Sequence, residues 1–345
     1  MIETTELVCL HPGSQATLQV RSAPAPTPGK RQIQVRVQAA SINPIDVKRA
    51  RGYGRRMLGL VGAAGEAVVL GNDFAGTVVA VGEAVSDFKV GDAVFGLVPT
   101  GRAGGAHRGV LAVDASLARL LPAGAQPQGA AVLPYSFCTV WRALHAVHLT
   151  AESTRDKRVL IHGASGALGQ LATQCLAAWG ADITAVCSAR HADLCLALGA
   201  SHVVDRHTRR LDDLPSRFQA TLNFGSWNDE AALLRRLGPD ALGHATTVHP
   251  LLGALDAYGW VGGAWHIAGQ WRHMRALARQ RNPHTRYAWV VFQPDALALD
   301  TLLDLLERGR IHLGVGPALP FSQAQSAFDH VAMGDSLRAV LLPHG

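Results

Sequence analysis

The chain has 345 residues, of which 48% are hydrophobic and 17% charged, and its formal net charge is +6. This length exceeds one small domain, so we expect two domains, each with a sizeable core. No run of about 18 apolar residues occurs, and the start "MIETTELVCLHPGSQ" has neither a cationic nor an apolar signal region. We therefore expect a soluble, cytoplasmic protein that does not enter membranes.

The cysteines and the basic residues further limit the classes of function that this chain can have. The five cysteines form no CxxC pair and no cluster, so the sequence predicts reduced packing residues rather than a disulfide framework or a thiolate zinc lobe. Basic residues gather loosely at 206–210 and 270–281, and phosphate groups are a ligand that such charges favour. Because no aromatic platform or nucleic-acid motif accompanies them, we do not expect RNA or DNA binding.

The first 125 residues are predicted to be rich in β-strand. The segment "QIQVRVQAA" alternates in polarity, "GTVVAVG" and "GDAVFGLV" are short apolar runs, and Gly or Pro separates such segments. This pattern predicts a barrel or a sandwich. The Gly/Ala-rich stretch 59–71 is predicted to be a mobile loop.

From about residue 128 the pattern changes to alternating strands and helices. Strands are predicted at "RVLIHG", "DITAVCS", "HVVD" and "ATLNF", with helices at "ALGQLATQCLAAWG" and "ARHADLCLALGA" between them. Such alternation predicts a parallel, doubly wound sheet. Further along, residues 270–281 are predicted to be a surface helix, "LALDTLLDLLERGRI" an amphipathic helix, and "RAVLLP" the last strand.

The stretch "VLIHGASGALGQLA", residues 159–172, fits a dinucleotide-binding turn. On the pattern G-x-G-x-x-G it gives Ala164, Gly166 and Gly169, and it lies between a predicted strand and a predicted helix. Gly166 would let the backbone approach a pyrophosphate, and Gly169 would let helix and strand pack closely. The free N–H groups at the helix start would then face the anion. A tight turn without a ligand is the alternative interpretation.

The end of the second strand of this unit favours NADPH over NADH. An NAD enzyme places a ribose-binding Asp or Glu there, whereas this chain has Cys187 and Ser188. Arg190 follows near a helix N-terminus, where a cation is mildly unfavourable unless an anion such as a 2′-phosphate binds. Ser188 also suits a helix N-cap, and Arg206, after the third strand, either joins the same anion site or is solvated.

Segments spread along nearly the whole chain resemble the medium-chain dehydrogenase/reductase superfamily, in its zinc-free quinone oxidoreductase branch. They are, in order, "AASINPIDVKRARGYG", "GNDFAGTVVAVG", "FKVGDAVFG", "AAVLPYSFCTVW", "VLIHGASGALG", "TAVCS" and "LALGASHVVD". The later stretch "PHTRYAWVVFQPDALALDTLLDLLERGRI" is similar to the mitochondrial reticulon-interacting NADPH oxidoreductase subgroup.

The resemblance implies an α/β protein of two domains with the active site in the cleft between them. A GroES-like β-barrel catalytic domain would comprise residues 1–127, completed by 296–345. A Rossmann domain with a doubly wound parallel sheet, residues 128–295, would bind NADPH.

The resemblance also implies cofactor contacts on both sides of the glycine turn. These contacts would be made by Thr139, Ser165, Ala167, Leu168, Ser188, Arg190, Val248 and Phe292. The chain departs from the family at Arg206, where a Tyr is usual, and at Asn223-Phe224, where an Asp-Asn pair is usual. The second departure puts ribose contacts at that position in doubt.

Zinc catalysis is not expected. Zinc-dependent relatives have a Cys and a His-Glu pair as metal-site markers, and the matching places here are Asn43 and Asn72-Asp73. An asparagine does not replace a thiolate or imidazole ligand well. Without a metal to polarise a carbonyl, hydride transfer needs an acceptor that is already electrophilic, namely a quinone or an α,β-unsaturated carbonyl.

Asn43 and Tyr53 are the candidate catalytic residues. Asn43, with Pro44 and Asp46 after it, also fits a variant capping box for a short helix, and the two roles do not exclude each other. Tyr53 matches a family tyrosine that faces the substrate and would donate a proton; the alternative is a tyrosine packed under the Gly-rich loop.

The leading hypothesis is an NADPH-dependent, zinc-independent reductase of quinones or α,β-unsaturated carbonyls, acting on a small molecule without a metal. An enoyl-thioester reductase of a biosynthetic pathway is the second hypothesis, with a basic entrance for its substrate. The third is a non-catalytic, NADPH-binding or RNA-binding protein like some zeta-crystallin relatives. A homodimer is left open.

Overall fold

In a computed structural model, which describes residues 3–344, the chain divides into two units. The first unit contains the chain up to Tyr135 and again from Gln293 onward, and the second is Ser136–Phe292. None of the helices in this described range has the length and hydropathy to cross a membrane.

The first unit is built mainly from β-strands. Its strands before the second unit are β1 (Glu3–Leu10), β2 (Thr17–Pro24), β3 (Gln32–Ser41), β4 (Ala67–Val69), β5 (Asp73–Val81), β6 (Ala93–Leu97), β7 (Val110–Asp114) and β8 (Ala118–Leu120). One sheet has the order β2-β1-β4, with antiparallel neighbours. After the second unit, the chain returns to this unit with two strands that join a second sheet.

The second unit contains a parallel sheet. Its strands are β9 (Arg158–His162), β10 (Asp182–Cys187), β11 (His202–Asp205), β12 (Ala220–Asn223), β13 (Gly243–Thr246) and β14 (Arg286–Trp289). The order is β11-β10-β9-β12-β13-β14, and every neighbouring pair is parallel. This order is that of a doubly wound dinucleotide-binding sheet, whose strand order reverses between β9 and β12.

After the second unit the chain adds β15 (Val315–Pro320) and β16 (Arg338–Leu342) to the first unit. The larger sheet of that unit therefore has the order β15-β16-β3-β5-β6-β8, with β7 against β3. Ile33, Val35 and Val37 alternate into its core beside Phe74 and Val78, as the period of two in "QIQVRVQAA" predicts. The last strand, predicted at "RAVLLP", is confirmed as β16.

The helices complete both units. In chain order they are α1 (Pro44–Ala50), α2 (Arg55–Leu60), α3 (Pro127–Ala130), α4 (Pro134–Ala146), α5 (Ala167–Ala178), α6 (Ala192–Ala197), α7 (Glu230–Leu234), α8 (Leu251–Ala278), α9 (Ala296–Glu307) and α10 (Ala324–Ala332). The amphipathic α9 is confirmed: it buries Leu299, Leu302 and Leu305, and the Asp295 carboxylate caps it by accepting from the Ala298 N–H at 3.1 Å.

Two expectations about local structure need correction. The stretch 59–71 is not a loop throughout, because α2 extends to Leu60 and β4 pairs with β1. The surface helix expected at 270–281 is the end of α8, which begins much earlier, at Leu251. Gly259 has φ 72° and interrupts the regular helical backbone inside α8. Because glycine disfavours a helix, the sequence did not predict the full length of α8.

Candidate nucleotide-binding site

The glycine turn joins β9 to α5 at the point where the strand order reverses. Gly163 has φ 77°, a left-handed conformation that favours glycine. A Cβ on Gly169 would lie 2.3 Å from the carbonyl oxygen of Gly163, so helix and strand approach this closely only with glycine there. A Cβ on Gly166 would meet nothing nearer than that oxygen, at 3.5 Å, which leaves its outer side open to a ligand.

The start of α5 offers backbone donors to an anion. Gly166 is the N-cap and has no side chain to satisfy the first N–H groups of the helix. Ser165 lines a groove beside the turn, Ala167 is buried at the first helical position, and Leu168 is half-buried. The turn therefore has the backbone geometry that binds a pyrophosphate.

A groove of about 510 Å³ runs along the carboxyl ends of β9, β10 and the loop after β12. Its lining is rich in basic side chains: Arg206, His207, Arg209, Arg210 and Arg235. Arg235 is paired with Asp212 at 3.1 Å. No carboxylate among residues 3–344 lies within ion-pair distance of Arg206, Arg209 or Arg210. The groove is thus suited to an anionic ligand.

A side pocket of about 450 Å³ opens from this groove and contains the residues predicted to meet a 2′-phosphate. It is lined by Ser188, Ala189, Arg190, Asp205, Arg206 and His207. Ser188, Arg206 and His207 also line the groove, so the two spaces share a wall. The Nε of Arg206 donates to His207 Nε2 at 3.2 Å, and Ser188 Oγ lies 3.4 Å from the same nitrogen.

One carboxylate does lie in the side pocket, at the end of β11 rather than β10. Asp205 accepts from the N–H of His207 at 3.2 Å and from the Thr208 hydroxyl at 3.1 Å. The His207 N–H is the main reason why the pKa of this carboxyl is lowered. Asp205 is therefore bound to its own loop.

The remaining predicted cofactor residues line neither space. Thr139 is buried in α4, Val248 is half-buried after β13, and Phe292 is half-buried at the end of the second unit. The structure thus brings together Ser165, Ser188, Arg190 and Arg206 around the groove and its side pocket.

A buried polar network behind the groove was not predicted. His162, at the end of β9, lines the groove, and its ring nitrogens lie 3.1 Å from Asn223 Oδ1 and 3.3 Å from Asp229 Oδ2. Asn223 continues to Glu230, which is fully buried. These residues lie on β9, on β12, in the turn after β12 and at the start of α7, so no local pattern joins them.

In the first unit, Asn43 caps α1 and belongs to a buried cluster. The Asp46 carboxylate accepts from the Asn43 N–H at 2.8 Å, and Pro44 occupies the first turn, which confirms the predicted cap. The Asn43 amide nitrogen donates to Asp73 at 2.8 Å and to the Ser41 hydroxyl at 3.2 Å. Its Oδ1 makes no hydrogen bond of normal geometry within the described residues, because the Asp46 N–H bonds the Asn43 carbonyl oxygen instead.

Burial dominates the electrostatics of Asp73. The side chain is fully buried, and this desolvation raises its pKa to about 6 although Asn43 and Ser41 both donate to it. Asn72 donates to the carbonyl oxygen of Val98 at 2.9 Å and to the Thr100 hydroxyl at 3.0 Å. Both asparagines that stand at the zinc-marker positions therefore direct their amide nitrogens to protein acceptors.

Tyr53 lies between α1 and α2. It is half-buried, it lines a small pocket with Arg49 and Leu58, and the ammonium of Lys48 lies 5.6 Å from the centre of its ring. No group of three His, Cys, Asp or Glu side chains in the described range is arranged to hold a metal ion.

Comparison with known proteins agrees with this arrangement. Residues 29–126 match the alcohol dehydrogenase GroES-like domain. The structure of the quinone oxidoreductase from Coxiella burnetii superposes with a TM-score of 0.80 at 20% identity, covering 99% of each chain. CurK enoyl reductase superposes with a TM-score of 0.77 at 20% identity, covering 98% of this chain and 99% of that one. A chain that combines a GroES-like domain with a parallel sheet of this strand order is a medium-chain dehydrogenase/reductase.

Sequence similarity assigns the chain to a narrower family within this superfamily. The mitochondrial NAD(P)H oxidoreductase RTN4IP1 of Bos taurus is 33% identical over 316 residues, which is 88% of this chain and 79% of that protein. The chain belongs to this family of NAD(P)H oxidoreductases within the medium-chain dehydrogenase/reductase superfamily. The α/β fold, with a GroES-like domain and a Rossmann-like sheet, is thereby confirmed, as is a nicotinamide-dependent oxidoreductase acting on a small molecule.

Proposed function

We propose that the protein uses NADPH, without zinc, to transfer a hydride to a quinone or an α,β-unsaturated carbonyl. The observation that carries this proposal is the side pocket, which Arg190 and Arg206 line together at the end of β10, a strand that ends without a carboxylate. A ribose with a free 2′-hydroxyl has no acid to bind at that strand end, whereas a 2′-phosphate meets two guanidinium groups.

The rest of the groove supports a dinucleotide. The N-terminus of α5 would receive the pyrophosphate through backbone N–H groups. Bound NADPH would supply the hydride at its nicotinamide ring. Thr139, Val248 and Phe292 are proposed to hold that ring.

Zinc independence rests on the donor set in the first unit. Asn43 and Asn72 stand where zinc-dependent relatives have a Cys and a His, and an asparagine could ligate a metal only through its amide oxygen, which replaces a thiolate or imidazole poorly. Among residues 3–344, no group of three His, Cys, Asp or Glu side chains is arranged to hold a metal ion. The residues present therefore do not fit a zinc ion at these positions. The reaction must then begin from an acceptor that is electrophilic without a Lewis acid.

The protein's task in the chemical step is to meet the negative charge that develops on the acceptor oxygen. Tyr53 is the proposed proton donor, since its phenol lies in a pocket of the first unit and the Lys48 ammonium lies near its ring. Asn43 is proposed to hold the Asp73 carboxyl and the start of α1, because its side chain is fully buried.

The test is NADPH oxidation, followed at the nicotinamide absorbance, with a panel of quinones, enones and enoyl thioesters. Turnover with quinones or enones, retained in a strong chelator and much weaker with NADH, is the expected result. Turnover confined to acyl-CoA or carrier-protein substrates would replace this proposal with an enoyl-thioester reductase. NADPH binding without turnover on any acceptor would favour a non-catalytic role.

A further inference from the structure

Asn223, the last residue of β12, lies at the centre of a closed hydrogen-bond arrangement. Its Oδ1 accepts from the ring of His162 at 3.1 Å and from the N–H of Gly225 at 3.1 Å. Its Nδ2 donates to the carbonyl oxygen of Ser226 and to the Glu230 carboxylate, both at 2.8 Å. A side-chain amide has two lone pairs on oxygen and two hydrogens on nitrogen, so all four are used and none is left for a ribose.

The neighbours of Asn223 allow only one orientation of this amide. The carbonyl oxygen of Ser226 can only accept a hydrogen bond, and so can the Glu230 carboxylate while it is ionised. Burial works to raise the pKa of Glu230, but the opposing effects of His244 and of the bonds from Asn223 and Tyr287 outweigh it, and the pKa is lowered. Because Glu230 thus stays ionised, a reversed Asn223 amide would place its oxygen against two acceptors.

This amide holds the loop that follows β12, residues 224–229, which we call the groove loop. Gly225, Ser226, Asn228 and Asp229 of the groove loop line the basic groove. A Cβ on Gly225 would lie 2.4 Å from His162 Nδ1, and a Cβ on Gly163 would lie 2.8 Å from the Gly225 nitrogen. The groove loop is therefore packed directly on the glycine turn.

We propose that Asn223 is a positioning residue for the dinucleotide: it fixes the groove loop against the glycine turn, so that the wall of the groove is formed before the ligand arrives. A preformed wall avoids the loss of loop entropy on binding. This inference rests on the groove being the dinucleotide site proposed above. It predicts that the binding of both NADPH and NADH depends on Asn223, because no residue of the groove loop lines the side pocket proposed for the 2′-phosphate.

The first test is Asn223→Asp, which exchanges a donor for an acceptor without changing the shape of the side chain. Its second carboxylate oxygen would face the Glu230 carboxylate and the Ser226 carbonyl oxygen, and the groove loop would be released. Calorimetry should show about a tenfold weaker affinity for NADPH and for NADH alike. The KM for NADPH should rise similarly, while kcat at saturating NADPH stays as in the wild type.

The rescue variant is Asn223→Asp combined with Glu230→Gln, in which the amide of residue 230 donates to the new carboxylate. This double variant should regain affinity to within about threefold of the wild type. The matched control is Tyr287→Phe, which removes the hydroxyl that donates to Glu230 at 2.9 Å but leaves all four bonds of Asn223 intact. It should lower the melting temperature and leave both affinities unchanged.

If the wild type binds NADPH, any one of three results would overturn the inference. They are unchanged affinities in Asn223→Asp, no recovery in the double variant, or an equal loss in Tyr287→Phe. A wild type that binds neither cofactor would instead overturn the proposed function, and this inference with it, before any variant is compared.

Discussion

Removal of the Arg206 guanidinium should erode the preference for NADPH. Its Nε already donates to His207, so its two terminal nitrogens are the donors left for a phosphate in the side pocket that it lines. A hydrogen bond to a charged group contributes roughly 1.5–3 kcal/mol, or about ten- to a hundredfold in affinity. Because Arg206 is exposed and salt screens it, the lower end applies, and Arg206→Ala should weaken NADPH binding about tenfold.

The assay is isothermal titration calorimetry of both cofactors at physiological salt. NADH lacks the 2′-phosphate, so its affinity should change little in Arg206→Ala. Arg272→Ala is the matched control, since Arg272 is exposed on α8 and lines neither the groove nor the side pocket. Equal losses for NADPH and NADH in Arg206→Ala, or an equal loss of NADPH affinity in Arg272→Ala, would refute the reasoning.

Three further predictions concern the first unit. Activity should survive a strong chelator, and a large loss that zinc restores would contradict the role given to Asn43 and Asn72. Tyr53→Phe should lower turnover about a hundredfold or less, more on enones than on quinones, whose reduction depends less on a proton donor. Turnover unchanged from the wild type on both substrate classes would make Tyr53 a packing residue. The pKa of Asp73 is raised from 3.8 to about 6, so its contribution to stability is present below pH 4 and lost as the pH rises through 6, roughly 3 kcal/mol in all. Asp73→Asn, whose amide cannot ionise, should therefore gain stability relative to the wild type between pH 4 and pH 7.5, as measured by the difference between their melting temperatures. A difference independent of pH would contradict the burial argument.

The parallel sheet and the glycine turn could be predicted from the sequence because their signals are local. Each of "RVLIH", "DITAVC" and "HVVD" is an apolar run of strand length, and the glycines follow one of them directly. The cap of α1 was equally local, since Asn43, Pro44 and Asp46 lie within one helical turn.

The hydrogen-bond arrangement around Asn223 could not be predicted in the same way. Its hydrogen bonds join His162, Asn223 and Glu230, and the longest of them spans 61 residues of chain. Only the register of β9 against β12 brings the first two together, because Asn223 pairs with His162. A sequence shows that Asn ends a strand, but not which side chains complete its hydrogen bonds.

The length of helix α8 was underestimated for a different reason. The segment "GWVGG" contains three glycines, and glycine costs about 1 kcal/mol in a helix interior, so local propensity argues against a helix there. Gly259 does depart from helical geometry, yet the helix continues beyond it. The boundary between the two domains and the location in the cytoplasm stay predictions, and so does a homodimer.

Direct transfer of deuterium from the cofactor to an enone tests the central claim most directly. NADPH that carries deuterium at both C4 positions of the nicotinamide is incubated with the wild type, an α,β-unsaturated ketone and a strong chelator, and the product is examined by mass spectrometry and NMR. A metal-independent hydride transfer predicts one deuterium at the β-carbon of the saturated ketone. NADPH oxidation that leaves the product without deuterium at that carbon, or that stops when the chelator is added, would contradict it.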